Sequence, residues 1–135
     1  MTGKTLPGKL TVMNALLITA GGGLGALCRY FVSTIAVRQF GSGFAWGTAI
    51  VNLAGCFLIG CVAGLMEKSA MPRTLWLFSV TGFLGGFTTF STFSLETMEL
   101  FQAGQRARAL INVGINVVGG IVGTAGGLVL FARRF

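Results

Sequence analysis

The chain has 135 residues, 53% of them hydrophobic and 10% charged, where an ordinary soluble domain carries about 25% charged residues. Ten basic residues stand against three acids (Glu67, Glu96 and Glu99), a net charge of +7, with no aspartate and no histidine. That inventory excludes a water-soluble globule, acid–base hydrolysis, and metal centres built on histidine and carboxylate, and predicts an all-α integral membrane protein.

Residues 1–12 read as a short N-terminal tail carrying Lys4 and Lys9, and residues 13–135 as a single transmembrane domain. At about 20 apolar residues per crossing, four spans separate. The first runs from about Val12 to Val37, interrupted only by Arg29. No A-x-A-like cleavage site follows it, and Gly25-Ala26-Leu27 ahead of Cys28 makes a poor lipoprotein signal, so the segment is expected to stay. The second span, Phe44 to Met66, is uncharged. The third, about Leu75 to Leu95, passes into a mixed stretch around Glu96 and Glu99. The fourth runs from Ala109 to Ala132, before Arg133 and Arg134. Loops fall at Gly41 to Gly43, at Glu67 to Arg73 with Pro72, and at Gly104 to Arg108. Each is short, which makes neighbouring helices antiparallel.

Four spans put both termini on one side, together with Lys4, Lys9, Lys68, Arg73, Arg133 and Arg134; Arg38, Arg106 and Arg108 lie on the other. This slight excess favours cytoplasmic termini and leaves room for insertion in both orientations. Charges scattered at segment ends act as headgroup anchors rather than as a nucleic-acid surface. Cys28, Cys56 and Cys61 lie in apolar runs and read as small buried hydrophobes.

Glycine occupies 22 positions. Gly21 and Gly25, Gly60 and Gly64, and Gly119, Gly123 and Gly127 repeat at one helical turn, the pattern of closely packed membrane helices. Polar groups at membrane depth must face protein or water. Thr48 and Asn52 share a face of the second span; Asn112, Asn116, Gly120 and Thr124 share one of the fourth. They form either an interhelical clamp or the lining of a route. In the third span, Gly82-Phe83-Leu84-Gly85-Gly86-Phe87-Thr88-Thr89-Phe90-Ser91-Thr92-Phe93-Ser94 sets three glycines ahead of five hydroxyl residues. Both residue types weaken a helix, and an opened turn would expose carbonyls and amides of the kind that line cavities; the alternative is a continuous helix with its hydroxyls bonded back to the backbone. Phe87, Phe90 and Phe93 could pack as core or turn their positive ring edges to an anion. Amide and hydroxyl donors, Arg29, and the absence of acids from the first span and from the interior of the second favour an anion route.

The motifs GGGLGALCRY (Gly21 to Tyr30), GTAIVNLAGCFLIG (Gly47 to Gly60) and GFLGGFTTFSTFSLE (Gly82 to Glu96) resemble those of the Fluc (CrcB-type) fluoride channels, in the same order along the chain. The resemblance implies four transmembrane helices per subunit, the third broken near its middle. It implies an antiparallel, dual-topology homodimer in the cell inner membrane that passes fluoride passively out of the cytoplasm. A structural sodium ion, not transported, would be held by the main-chain carbonyls of Gly85 and Thr88. Phe90 and Phe93 match the family's paired pore rings, Asn52 its pore asparagine, Arg29 its vestibule arginine and Glu96 its glutamate beyond the break. Thr48, Ser91, Thr92 and Asn116 complete the expected fluoride path; the fourth span is the looser match, with Asn112, Asn116 and Gly120 where many relatives place tyrosine or serine. The rivals are a small dual-topology multidrug or cation exporter, which normally needs a mid-span carboxylate, and a structural subunit, which gives no reason for hydroxyls, amides and rings to converge.

Overall fold

Apolar runs without interior proline leave the backbone one way to satisfy its own hydrogen bonds in lipid, by helix formation. Every regular element of the described residues is helical in the structure, a computed structural model that describes residues 11–67 and 69–131. Lys4, Lys9, Lys68, Ala132, Arg133 and Arg134, and all but the end of the expected tail, lie outside them.

Helix α1 (Val12–Phe40) begins at Thr11, whose hydroxyl accepts the Asn14 N–H at 3.2 Å. It runs past the expected end at Val37, stopping where Gly41 takes a φ of 76°, a conformation costly for residues with a Cβ. Helix α2 (Trp46–Met66) follows. After Pro72, helix α3 (residues 73–87) starts as an α-helix at Arg73–Trp76, widens into π-turns over Leu77–Leu84, and returns to α-geometry at Gly85–Phe87. Helix α4 is Phe90–Gln102. Gly104, at φ 75°, turns the chain into helix α5 (Arg106–Phe131), which contains a π-segment at Gly114–Gly119. The expected third loop is therefore shorter, because Arg106 to Arg108 already form the first turn of α5.

Three of these helices, α1, α2 and α5, are long and apolar enough to cross a bilayer. The expected third span is divided between α3 and α4. At 1.5 Å per residue α3 rises about 22 Å, short of a hydrocarbon core of about 30 Å.

Two glycine-mediated contacts hold the bundle. A Cβ on Gly21 would meet the Phe78 carbonyl, and one on Gly25 the Phe83 carbonyl, so α1 lies directly on the backbone of α3; Gly82 and Gly86 answer from α3 against Ile18 and Gly22. Across the bundle, Gly60 faces the Thr124 carbonyl and Gly127 the Phe57 carbonyl, bringing α2 and α5 equally close. Gly123 has only ordinary contacts, the nearest at 3.6 Å. The buried apolar core is small: Ala36, Ala49, Val51, Leu84, Phe87, Phe93 and Ala109 among its members. Leu16, Phe31, Ile35, Leu110, Ile121 and Val122 all point outward, an arrangement suited to lipid. All three cysteines are free, with Cys61 buried.

Candidate pore site at the helix break

Helix α3 stops because two consecutive threonines turn extended: Thr88 at φ −82°, ψ 158° and Thr89 at φ −153°, ψ 115°. β-Branching favours that conformation, and the preceding Gly85-Gly86 gives the helix little propensity to resist it. Thr89 then starts α4 as its N-cap, its Oγ1 accepting the Thr92 N–H at 3.3 Å. Gly55 of α2 makes room for the break, since a Cβ there would strike the Thr88 methyl.

Asn52 holds the break like a short piece of β-ladder. Its Oδ1 accepts the Thr89 N–H at 2.8 Å, and its Nδ2 donates to the Thr89 carbonyl at 3.0 Å. The same Nδ2 donates to Asn116 Oδ1 at 2.8 Å. Asn116 Nδ2 in turn donates to Asn112, to its carbonyl and its Oδ1, both at 3.0 Å. Asn112, completely buried, donates to Thr97 Oγ1 at 2.9 Å, and Thr97 donates to the Phe93 carbonyl at 2.8 Å. A continuous amide chain thus runs from the break through α2 and α5 and back to α4. Of the two alternatives the sequence leaves open, these bonds make the clamp, and Asn52 and Asn116 also line a cavity.

Among the carbonyls released at this point are those of Gly85 and Thr88. The Thr89 N–H, which in a continuous helix would reach the Gly85 carbonyl, goes to Asn52; the Thr92 N–H, which would reach the Thr88 carbonyl, goes to the Thr89 hydroxyl. Arg29 Nη1 reaches across from α1 to donate to the Thr88 carbonyl at 3.3 Å. Among the described residues no cluster of histidine, cysteine, aspartate or glutamate could hold a metal ion. The carbonyl oxygens of Gly85 and Thr88 are hard donors suited to an alkali cation, and both residues line one cavity of about 330 Å³ with Asn52, Thr89, Phe90 and Phe93.

The two rings of that cavity differ sharply. Phe93 is 5% exposed and Phe90 75%, with their centroids 5.2 Å apart at 66°, edge to face. One turn beyond Phe93, Glu96 Oε1 accepts the Thr48 hydroxyl at 2.9 Å, while Glu96 Oε2 is buried without a partner among the described residues. These residues open on a second cavity of about 380 Å³ that also includes Ser33, Glu99 and Gln105.

The structure thus brings together Asn52, Asn116, Phe90, Phe93, Gly85, Thr88 and, one contact away, Arg29. Thr48 and Glu96 form a neighbouring pair. Ser91 and Thr92 are exposed and outside both cavities; Thr92 Oγ1 accepts from Thr89 Oγ1 at 3.0 Å, which ties it to the cap. Thr124 donates to the Cys56 carbonyl at 3.0 Å, joining α5 to α2. Sequence reasoning missed Thr97, although its place four residues after Phe93 and eight after Thr89 puts it on one face with them.

Residues 16–128 match the family described as "CrcB-like protein, Camphor Resistance (CrcB)". A relative from Shewanella amazonensis named "Fluoride-specific ion channel FluC" is 49% identical over 106 residues, covering 78% of this chain and 85% of its own. Relatives of the same name from Maridesulfovibrio salexigens and Rhizobium johnstonii are each 43% identical, over 116 and 119 residues, covering 85% and 84% of this chain and 92% and 95% of their own.

Proposed function

Because the chain belongs to the CrcB-like family, we propose that it is a fluoride-selective passive channel of the cell inner membrane that lets fluoride leave the cytoplasm and so limits its toxicity. It is a channel, not an enzyme, and no covalent step is required. The observation that carries the reading is Phe90: a ring 75% exposed, at a break that also releases the carbonyls of Gly85 and Thr88 and is joined to an amide chain. Arg29 gives the Thr88 carbonyl one donor, but a lone subunit would leave the Gly85 carbonyl and the exposed Phe90 ring to lipid, which offers the carbonyl no donor. A second copy covers them, and the small charge bias permits it to insert antiparallel, giving a dual-topology homodimer. When bound at the interface, a structural sodium ion supplies positive charge against the converging carbonyl dipoles of Gly85 and Thr88.

Fluoride is small and strongly hydrated, so the pore must replace its water with donors while binding weakly enough to release it. Arg29 draws the anion toward the break. The edges of Phe90 and Phe93 then face it with partial positive charge. Every N–H of Asn52 and Asn116 is already spent on a protein oxygen; fluoride gains an amide donor by displacing one of those oxygens, an exchange of one hydrogen bond for another rather than a net loss. Beyond Phe93, the hydroxyl of Thr48 continues the path, and Glu96 Oε2 offers a donor whenever it carries a proton.

The test is efflux from liposomes containing only this purified protein. Fluoride release without chloride release is expected; fluoride release no faster than from empty liposomes refutes the channel. Drug-stimulated proton flux would instead identify an exporter.

A further inference from the structure

At the end of the bundle where α1 meets α2 and α5 begins, the side chains make a second built site, away from the break. Phe40, Gly43, Phe44, Trp46, Arg108 and Ile111 line an open cavity of about 350 Å³, a size typical of small-molecule pockets. The Trp46 ring stands 5.7 Å from Phe40 and 4.9 Å from Phe44, centroid to centroid, and forms the apolar wall. Arg108 crosses to the loop: its Nη1 donates to the Gly43 carbonyl at 3.0 Å and to Gln105 Oε1 at 2.8 Å. Both partners are neutral, and among the described residues Arg108 forms no ion pair, so its charge is uncompensated. A guanidinium has five N–H donors in a fork suited to phosphate, and the Nε and Nη2 hydrogens remain unspent. The indole N–H of Trp46 also lacks a partner among the described residues.

The position decides which phosphate compound fits. Phe40 ends α1, Trp46 begins α2, and Arg108 lies in the first turn of α5, so the site falls at a membrane–water boundary, the level of aromatic belts and phospholipid headgroups. From its floor at Ile111, an exposed apolar row continues along α5 beyond the π-segment, with Val118, Ile121 and Val122 all facing outward. A free phosphate has no use for that row; an acyl chain does. Arg106, whose guanidinium sits 5.5 Å from the Phe101 ring centroid, and Arg38 add positive field at the same end.

We propose that this pocket binds one anionic phospholipid, with its phosphate on Arg108 and Trp46, its glycerol against the Phe40, Phe44 and Trp46 rings, and an acyl chain along Ile111, Val118 and Val122. The site is independent of the permeating ion. Since Gly43, Phe44 and Trp46 also line the cavity that holds Thr48 and Glu96, the lipid packs on the outer wall of the loop whose inner wall faces that cavity.

Native mass spectrometry of the detergent-purified protein, titrated with phosphatidylglycerol or phosphatidylcholine, tests this directly. The unmodified chain should retain phosphatidylglycerol about fivefold better than phosphatidylcholine, the weight of one basic side chain near an anionic headgroup. Arg108→Gln should abolish that preference. Trp46→Phe, which keeps the ring and removes the N–H, should weaken it about twofold, so the conclusion does not rest on one variant that could disturb the loop. Equal retention of the two lipids by the unmodified chain, or an unchanged preference in both variants, overturns the site. Displacement of phosphatidylglycerol by inorganic phosphate at equal concentration overturns the lipid in favour of a free anion.

Discussion

Asn52→Leu is the most informative single change, because one side chain closes the break and starts the amide chain. Leucine keeps the approximate size and loses all three hydrogen bonds: from the Thr89 N–H at 2.8 Å, to the Thr89 carbonyl at 3.0 Å, and to Asn116 Oδ1 at 2.8 Å. Three interhelical contacts at ~0.6 kcal/mol each give about 2 kcal/mol as a lower figure. The two backbone groups of Thr89 are buried and held by geometry, and each stranded one costs about 1–3 kcal/mol. A loss of about 3 kcal/mol is therefore expected, mostly from the backbone. Thermal unfolding in detergent, followed by the loss of the native size-exclusion peak, reads that loss. Fluoride efflux from liposomes made with the surviving protein reads the pore, where even 2 kcal/mol of lost positioning would be about a thirtyfold slower flux. Asn52→Asp adds a charge to the same change: a carboxylate still accepts the Thr89 N–H, but it sets an oxygen where Nδ2 met the Thr89 carbonyl and Asn116 Oδ1, and a negative charge in the anion's path. It should lose at least as much flux as the leucine variant. If Asn52→Leu unfolds and conducts like the unmodified chain, the closed amide chain has no role in either.

The two phenylalanines should separate in the same pair of assays. Phe93→Ile, in a site 5% exposed, should lower both stability, by about 1–2 kcal/mol, and flux, whereas Phe90→Ile should lower flux alone; equal destabilisation by both would return Phe90 to ordinary packing. Gly25→Val drives a side chain into the Phe83 carbonyl and should cost at least about 3 kcal/mol or prevent folding, while Gly23→Val, with nothing within 4 Å, should be tolerated. Similar melting of the two would show that α1 does not lie on the α3 backbone. Arg29→Gln keeps a donor for the Thr88 carbonyl and removes the charge, so fluoride flux should fall several-fold at low salt and less at high salt; a loss independent of ionic strength would assign Arg29 to holding the break.

Much of this arrangement was legible because neighbouring residues dictate it. The glycine pairs at one-turn spacing do face other helices, as Gly21, Gly25, Gly60 and Gly127 show. Glycine-glycine-phenylalanine-threonine-threonine is a poor helix by propensity alone, and the chain opens there, at Thr88 and Thr89. Boundaries are less legible: Phe40 is helical because α1 runs on until Gly41 reverses φ, and Arg106 because α5 starts two residues after Gly104 has turned the chain. The partners of the polar residues were not legible. From the sequence Asn52 and Asn116 read as a clamp or a lining, and nothing local distinguishes these, since the hydrogen bonds they make join residues 37 and 64 positions apart.

By itself the sequence determined the solvent, the helices and the weak point. Few charges and long apolar runs demand lipid, lipid demands internally bonded backbone, and two threonines after two glycines are where that bonding yields. Only the tertiary structure decided what the freed groups do. It placed Asn52 opposite the Thr89 amide and carbonyl, joined it through Asn116 and Asn112 to Thr97, brought Arg29 to the Thr88 carbonyl, and left Phe90 facing outward while Phe93 turned in. Those outcomes depend on how close α1 and α2 come to α3, and that closeness is set by packing across the bundle rather than by any one segment.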